Sequence, residues 1–324
     1  MTTINSILQQ VVSTISMWRV IVFLLVLGNV KNLPMVWHLR ILNAFRFTLR
    51  SQRPKEPVAA THLFQPMITT THAPLMEMDF NLHKNNSSYF SDIDIARTHL
   101  VCTLFSTGIE YMRGGTGAIT AECRPGLGLP VGGVSCIFKK ELKPYEPYEL
   151  WTRVLSWDKK WLYIVTHFVK AGVMTPRKYT LYPQQNGKGD KKSKTAARLD
   201  DIEESDAVVA TALSRCVFKQ GRRTISPEVM LQLSGLLPKE APEIKSTSTS
   251  SMLSTSPPRG SNIEKERRRG LEIASTLTPP AQRALENEFT ADCEALGRHR
   301  DGTGLMGVVS TLAQLANLKR EQIL

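Results

Sequence analysis

The chain contains 324 residues, carries a formal net charge of +12, and is 42% hydrophobic and 22% charged. These proportions are those of a folded globular chain, so they exclude collagen, a long coiled coil and wholesale disorder, and the length allows one or two domains of about 100–200 residues. Five cysteines without a Cys-x-x-Cys pair argue against a disulfide framework and a structural zinc site. The basic excess comes without a nucleic-acid-binding motif, so we expect a solvated basic surface and no nucleic-acid partner.

The N-terminal region, residues 1–56, combines an apolar segment with basic residues. Val11–Val30 contains one charged residue, Arg19, and a helix of about 20 apolar residues can span a bilayer. Basic residues follow this segment, which by the positive-inside rule places the rest of the chain on the cytosolic side. We therefore expect a membrane protein, single-pass or peripheral, anchored by this segment. A helix lying in the plane of the membrane surface and a buried soluble helix are the alternatives.

The central region, residues 57–237, has the pattern of an α+β domain. The strand-like segment Ile68–Met78 is followed by Asn86–Ser106, whose apolar residues recur at the period of about 3.6 residues of a helix. Either Asn85 or Asn86 fits the N-cap of this helix. A run of antiparallel strands is predicted after it: Ala118–Cys123, Ser135–Lys140, Tyr148–Trp157, Trp161–Lys170 and Ala207–Lys219. One strand, one long helix and a run of strands is the order of a hotdog fold, in which the sheet wraps the helix.

Three further segments differ in composition from this domain. Residues 183–206 are polar and charged and predict a surface insertion, whereas residues 238–261 are rich in Ser, Thr and Pro and predict a disordered linker. Residues 262–324 predict a C-terminal extension of two or three helices, with a break at Gly297–Gly304. Within the extension Leu305–Leu318 is amphipathic, so we expect it to pack on the main domain or on a partner.

The stretch from Glu77 to Tyr89 offers a candidate for chemistry. It reads Glu-Met-Asp-Phe-Asn-Leu-His-Lys-Asn-Asn-Ser-Ser-Tyr, so a carboxylate, Asp79, precedes a polar turn and a helix N-terminus. Backbone N–H groups at a helix N-terminus are unpaired and carry partial positive charge, which allows them to hold an oxyanion. A nearby carboxylate can act as a nucleophile or as a general base toward water. Together these groups suit attack on a thioester, because thiolate is a good leaving group.

The same stretch resembles the motif Asp-x-Asp-x-x-Gly-His-x-Asn-Asn-x-x-Tyr of hotdog thioesterases of the 4-hydroxybenzoyl-CoA thioesterase type. Five residues match the motif in register: Asp79, His83, Asn85, Asn86 and Tyr89. Glu77 stands in place of the first Asp, and Leu82 in place of the Gly. This form resembles the membrane-anchored branch of the superfamily and the thioesterase-like proteins of fungal secondary-metabolite clusters. The resemblance covers about residues 62–237.

The resemblance implies a thioester hydrolase that acts on acyl-CoA, or on an acyl or polyketide chain held by an acyl-carrier domain, in secondary-metabolite biosynthesis. It implies three catalytic residues: Asp79, His83 and Asn86. We also take Glu77, Asn85 and Tyr89 as candidate substrate-binding residues, with a helix cap as the alternative role of Asn85 and core packing as that of Tyr89. The sequence shows no metal-binding cluster, so we expect no metal and no cofactor. The resemblance implies at least a dimer, which we expect to be a homodimer whose partner subunit contributes further site residues.

Two other functions stay open from the sequence. The departures at Glu77 and Leu82 allow a non-catalytic, membrane-tethered acyl-binding or scaffold protein. A hotdog enoyl-thioester hydratase or dehydratase would use Asp-x-Asn-Pro-x-His, and residues 79–83 contain the Asp, Asn and His but lack the Pro and are one residue shorter. The sequence contains no Gly-x-Ser-x-Gly segment, which argues against a serine hydrolase.

Overall fold

The computed structural model describes residues 17–45, 53–113, 127–186, 207–238, 259–275, 284–285, 287–302 and 304–316. The helices are α1 (Met17–Gly28), α2 (Val36–Asn43), α3 (Asn86–Leu104), α4 (Ser106–Arg113), α5 (Pro227–Leu233), α6 (Arg259–Ser275) and α7 (Leu305–Ala316). The strands are β1 (Met67–His72), β2 (Leu127–Gly128), β3 (Val131–Phe138), β4 (Pro147–Trp157), β5 (Leu162–Lys170), β6 (Lys178–Tyr179), β7 (Val208–Cys216), β8 (Phe218–Gln220), β9 (Arg223–Ile225), β10 (Glu294–Ala295) and β11 (Gly297–Arg300).

A six-stranded sheet runs through the described residues in the order β11-β1-β4-β5-β7-β3. Neighbouring strands are antiparallel, except that β11 pairs with β1 in parallel. Strands β4 and β5 are the predicted hairpin. Its turn is closed by Asp158, whose Oδ1 accepts hydrogen bonds from the backbone amides of Lys160 (2.7 Å) and Trp161 (2.6 Å). The alternating pattern and the turn residues were therefore enough to place this hairpin.

Helix α3 packs against one face of the sheet, as its period predicts. The residues of the predicted apolar face are all buried: Tyr89, Ile93, Ala96, Leu100 and Leu104. Leu150 of β4 and Phe168 of β5 lie in the same core cluster as the first three of them. The sheet and the helix that it covers form the predicted α+β hotdog fold.

The C-terminal extension covers the opposite face of the sheet. Side chains alternate between the two faces of a strand, so Trp151 of β4 points away from α3, and its ring lies 5.4 Å from that of Phe289. Leu155 lies on the same face and packs with Ala274 of α6. Gly270 lets α6 approach β4 closely, because a Cβ atom at this position would collide with the carbonyl oxygen of Leu155.

The extension also contains strands, which differs from the purely helical prediction. Strand β11 lies within the predicted break and pairs with β1 from Met67–Gly297 to Thr70–Arg300. Without β11, the backbone N–H and C=O groups on this side of β1 would be unpaired. The parallel strand forms hydrogen bonds with them and so covers the sheet edge. Helix α7 packs on α2, so the amphipathic segment contacts the N-terminal region of the same chain.

The strand before the motif ends earlier than the sequence predicts. Strand β1 ends at His72 rather than at Met78, because Pro74 has no N–H group to continue the ladder. The chain instead forms a short 3-10 helix, Leu75–Glu77. Helix α3 ends at Leu104, two residues before the predicted end, and the separate helix α4 follows.

Parts of several predicted segments lie outside the described residues. These are the strand Ala118–Cys123, most of the insertion 183–206, most of the linker 238–261, and residues 11–16 of the proposed anchor. The side chains of α1 are exposed from Met17 to Leu27. Within the part of the chain that the structure describes, no helix is both long enough and apolar enough to cross a bilayer.

Candidate active site

Residues 78–84 form a closed loop, hereafter the site loop, between the 3-10 helix and α3. A β-bridge joins Met78 and Lys84 at its base, and the backbone N–H of Asp79 donates to the carbonyl oxygen of His83 at 2.8 Å. Leu82 has a φ of 57°, which lies in the left-handed region that favours glycine. The motif that the sequence resembles has Gly at this position, so the loop keeps a glycine-like backbone with a different side chain.

Asp79 braces the site loop with one of its two carboxylate oxygens. Its Oδ1 accepts hydrogen bonds from the backbone amides of Asn81 (2.8 Å) and His83 (3.1 Å). The side chain is exposed, and its Oδ2 accepts no hydrogen bond from any described residue. The carboxylate is therefore fixed through Oδ1, while Oδ2 is accessible to water or to a substrate.

The N-terminus of α3 carries two backbone N–H groups that have no acceptor among the described residues. Asn85 is the N-cap, as predicted, and its Oδ1 accepts from the backbone amide of Ser88 at 3.0 Å. The backbone amide of Asn85 itself donates to the carbonyl oxygen of Glu77 at 2.8 Å. This leaves the amides of Asn86 and Ser87, which are both exposed residues. They carry the partial positive charge of the helix N-terminus and form a candidate oxyanion site.

His83 and Tyr89 lie in different environments. His83 is half-buried, and both of its backbone polar groups bond to Asp79. The ring of Tyr89 is buried, with its centroid 4.9 Å from those of Phe138 and Phe168, and this burial raises the pKa of its hydroxyl. Tyr89 thus has a clear role in the core. A catalytic role for His83 and a substrate contact for Tyr89 stay predictions.

The side chains of Glu77 and Asn85 are engaged in structural contacts. The Nδ2 group of Asn85 donates to the carbonyl oxygen of Glu77 at 2.9 Å. The Glu77 carboxylate is buried and paired with Lys31 and Lys84. Because the irregular chain after β1 separates the two acids, Glu77 faces the interior while Asp79 faces solvent. Substrate contacts by Glu77 and Asn85 also stay predictions.

A buried group of charged side chains, hereafter the ion cluster, lies beside the site loop. Its members are Lys31, Arg40, Glu77, Lys84, Asp92 and Asp301. The Nζ atom of Lys31 lies 3.1 Å from Glu77 Oε1 and 2.9 Å from Asp92 Oδ1. Lys84 also contacts both of these carboxylates. No member has a side chain more than 4% exposed, and three basic side chains face three acidic ones. Burial lowers the pKa of the Lys31 amino group, whereas the charge of Asp92 raises it. Contacts of 3.1 and 2.9 Å with two carboxylates favour the cationic form of Lys31.

The ion cluster joins three distant parts of the chain. Arg40 of α2 lies 3.0 Å from Asp92 of α3 and 2.7 Å from Asp301, which follows β11. Burial by itself would raise the pKa of Asp92, but the neighbouring cations of Lys31, Lys84 and Arg40 hold it well below its usual range. Asp92 is therefore an anion that links the N-terminal segment, α3 and the C-terminal extension.

Sequence reasoning did not find the ion cluster, although one signal was available. Asp92 is three residues after Tyr89 and four before Ala96, so it lies on the buried face of α3. A carboxylate on a buried helix face needs a cationic partner, but the sequence does not show which one. Within the described ranges no group of His, Cys, Asp or Glu side chains could hold a metal ion.

The sheet wrapped on α3, together with the site loop, defines a hotdog domain of the thioesterase type. The family model of the thioesterase-like superfamily matches residues 73–244. The chain belongs to this family. This membership confirms the predicted reaction class, which is thioester hydrolysis.

Two fungal relatives and one solved structure illustrate the similarity. The probable thioesterase atnL of Emericella nidulans is 34% identical over 287 residues, which cover 84% of this chain and 89% of the relative. Thioesterase poxG of Penicillium oxalicum is 35% identical over 263 residues, which cover 79% of this chain and 82% of the relative. The probable thioesterase YbaW from Escherichia coli aligns with 53% of this chain and 99% of its own, at 12% identity and a TM-score of 0.34.

Proposed function

We propose that the protein hydrolyses an acyl thioester carried by CoA or by an acyl-carrier domain. One observation carries this proposal: a short segment of chain presents the free Oδ2 of Asp79 and the two unpaired amides of Asn86 and Ser87, all on exposed residues. A carboxylate and an oxyanion site are the two elements that the reaction needs. The fungal relatives named thioesterases support the reaction class, and we propose an acyl chain from secondary metabolism as the substrate.

In the general-base form of the reaction, Asp79 Oδ2 takes a proton from a water molecule as the water oxygen bonds to the carbonyl carbon. The amides of Asn86 and Ser87 hold the resulting oxyanion. The carbon–sulfur bond then breaks, and the thiolate takes the proton back from Asp79, which gives a carboxylic acid and a thiol. In the nucleophilic form, Oδ2 itself bonds to the carbonyl carbon, the thiolate leaves, and water hydrolyses the acyl-aspartyl anhydride.

The substitution Asp79→Asn tests the proposal without disturbing the loop. The amide side chain of this variant keeps an Oδ1 acceptor for the backbone amides of Asn81 and His83 but removes the basic and nucleophilic oxygen. We expect kcat for acyl-CoA hydrolysis to fall about 10²- to 10⁴-fold. Asp158→Asn is the matched control, because Asp158 braces the β4–β5 turn through two backbone amides in the same way.

Turnover, binding and hydration measurements together distinguish the candidate functions. Undiminished turnover by Asp79→Asn would remove Asp79 from the mechanism. Acyl-CoA binding by the wild-type protein without any turnover would favour the acyl-binding or scaffold function. Addition of water to an enoyl thioester whose thioester bond stays intact would favour the hydratase.

For the assembly, we propose a homodimer that pairs along β3. Strand β3 is an edge of the sheet in the described residues, and Val131 and Phe138 at its two ends are 40% and 37% exposed. An edge strand presents unpaired backbone groups, and a second β3 would satisfy them. Light scattering at working concentration should give twice the mass of one chain, and a fully active monomer would contradict the proposal.

For localisation, we propose that α1 lies on the cytosolic surface of a membrane. The helix exposes large apolar side chains, among them Phe23 at 61% and Leu24 at 60%, and an exposed apolar patch of this kind is typical of surfaces that bind a membrane or another protein. Phe23→Glu should reduce flotation with liposomes, whereas Val229→Glu, an exposed apolar residue of α5, should not. Alkaline carbonate should release the protein from membranes. Retention in the pellet would favour a single-pass anchor, and a wild-type protein that does not float would contradict membrane binding.

A further inference from the structure

The site loop is attached to the ion cluster at both of its ends. Glu77 immediately precedes the loop, Lys84 is its last residue, and their side chains form an ion pair. The Nζ atom of Lys31 lies 3.1 and 3.2 Å from the two carboxylate oxygens of Glu77. The same amino group donates to the carbonyl oxygen of His72, the last residue of β1, at 3.0 Å. Lys31 therefore ties the end of β1 to the base of the site loop.

The charge balance at the base of the loop depends on the N-terminal segment. Glu77 and Asp92 supply two negative charges there, whereas Lys84 supplies one positive charge and Lys31 supplies the second. The amino group of Lys31 also reaches the hydroxyl of Tyr148 at 3.2 Å. Because these groups are buried, the loss of Lys31 would leave an anion unbalanced in a region of low dielectric.

We propose that Lys31 is a positioning residue for the site loop. Through Glu77 and Lys84 it fixes both ends of the loop, and thereby the separation between Asp79 Oδ2 and the free amides of α3. The proposal rests on the proposed thioesterase function, in which this separation sets the geometry of attack. The N-terminal segment is then part of the active-site architecture as well as a membrane-binding element.

Two charge-neutral double variants separate positioning from overall stability. Lys31→Met with Glu77→Gln removes one cation and one anion at the loop. Arg153→Met with Glu288→Gln removes one cation and one anion from an ion pair outside the ion cluster, between β4 and the C-terminal extension. The first variant leaves two cations and two anions in the ion cluster, and the second leaves the ion cluster intact. We expect kcat to fall about 10- to 100-fold in the first variant and to stay within about twofold of wild type in the second. KM for acyl-CoA should change little in both.

Hydrogen exchange supplies a readout that does not depend on activity. The backbone amides of Asn81 and His83 donate to Asp79 Oδ1, so their exchange reports the order of the site loop. We expect exchange about tenfold faster than wild type in the first double variant, and exchange at the wild-type rate in the second. Equal exchange in the two variants, or equal kcat, would overturn the proposal. A wild-type protein without turnover would contradict the thioesterase function, and the exchange comparison would still decide the role of Lys31.

Glu77→Gln alone is a second variant, for use if the first double variant does not fold. Gln keeps an oxygen acceptor for Lys31 and Lys84 but removes the negative charge that holds both amino groups. Because one buried amino group is then unbalanced, we expect the same loop amides to exchange faster than in the wild-type protein. Unchanged exchange in Glu77→Gln would overturn the proposal.

Discussion

The left-handed backbone of Leu82 allows a prediction of stability whose sign can be worked out from the structure. Leu82 has a φ of 57°, and its side chain is 61% exposed. At this position the backbone conformation therefore affects the free energy of unfolding more than side-chain burial does. For a residue with a Cβ atom, the left-handed conformation costs about 1–2 kcal/mol. Glycine avoids this cost but loses about 0.5–1 kcal/mol more conformational entropy on folding. At position 82 glycine should therefore be more stable than alanine by about 0.5–1 kcal/mol.

A comparison of Leu82→Gly with Leu82→Ala isolates this backbone contribution, because both variants lose the leucine side chain. We expect the glycine variant to have the higher melting temperature, by about 1–4 °C, and the higher midpoint in a urea titration followed by circular dichroism. Val229 in helix α5 is the control position, because it is also partly exposed but has an ordinary helical backbone. There the order should reverse, with alanine more stable than glycine by about 1 kcal/mol.

The result that refutes this reasoning is an alanine variant at position 82 that equals or exceeds the glycine variant. The site loop would then not hold its left-handed residue in solution. Leu82 would then not have the glycine-like backbone conformation that its position in the thioesterase motif implies.

Three further predictions concern the packing of α6, the response to pH and the cap of α3. Gly270→Ala should destabilise the protein by about 1–3 kcal/mol in thermal unfolding, because its Cβ atom would collide with the carbonyl oxygen of Leu155. Gly304→Ala is the control and should not destabilise it, because a Cβ atom there meets nothing within 4 Å. Equal effects would contradict the close approach of α6 to β4. Burial lowers the pKa of His167 to about 4, so the unfolded chain binds its proton first. The free energy of unfolding should therefore fall from about pH 6.5 to pH 4, with a smaller slope in His167→Gln; an unchanged slope would contradict a buried neutral histidine. Asn85→Ala should cost about 1 kcal/mol in urea unfolding. Asn85→Asp keeps the Oδ1 acceptor but loses the Nδ2 donor to the carbonyl oxygen of Glu77, so it should retain only part of the stability; equal losses would contradict the N-cap.

The elements that the sequence predicts well are those with local signals. The buried face of α3 follows from a helical period, and the β4–β5 hairpin follows from alternation around a turn that Asp158 closes. The preference of asparagine for the N-cap limits this position to Asn85 or Asn86, and the structure has the cap at Asn85. In each case the residues that decide the structure lie within a few positions of one another, so a pattern in the chain is sufficient.

The elements that the sequence does not predict depend on partners far away in the chain. Strand β11 is four residues long, and its position is determined by the free edge of β1 rather than by its own pattern. Strand β1 ends at His72 because of Pro74. The apolar residues of Ile68–Met78 instead predict a strand that continues past this proline. Within the site, the sequence does not show that Asp79 Oδ2 and two amides of α3 lack a hydrogen-bond partner among the described residues. This depends on all the hydrogen bonds that the folded site loop forms.

The ion cluster shows why the active-site region extends beyond the part of the chain that the family model matches. That match spans residues 73–244, which include Glu77, Lys84 and Asp92. These three residues carry one positive and two negative charges, and Lys31 and Arg40, both outside the match, supply further positive charges beside them. Arg40 also pairs with Asp301, so both flanks contribute to the ion cluster. Since a buried unbalanced charge is costly, the order of the site loop is coupled to the docking of the N-terminal segment.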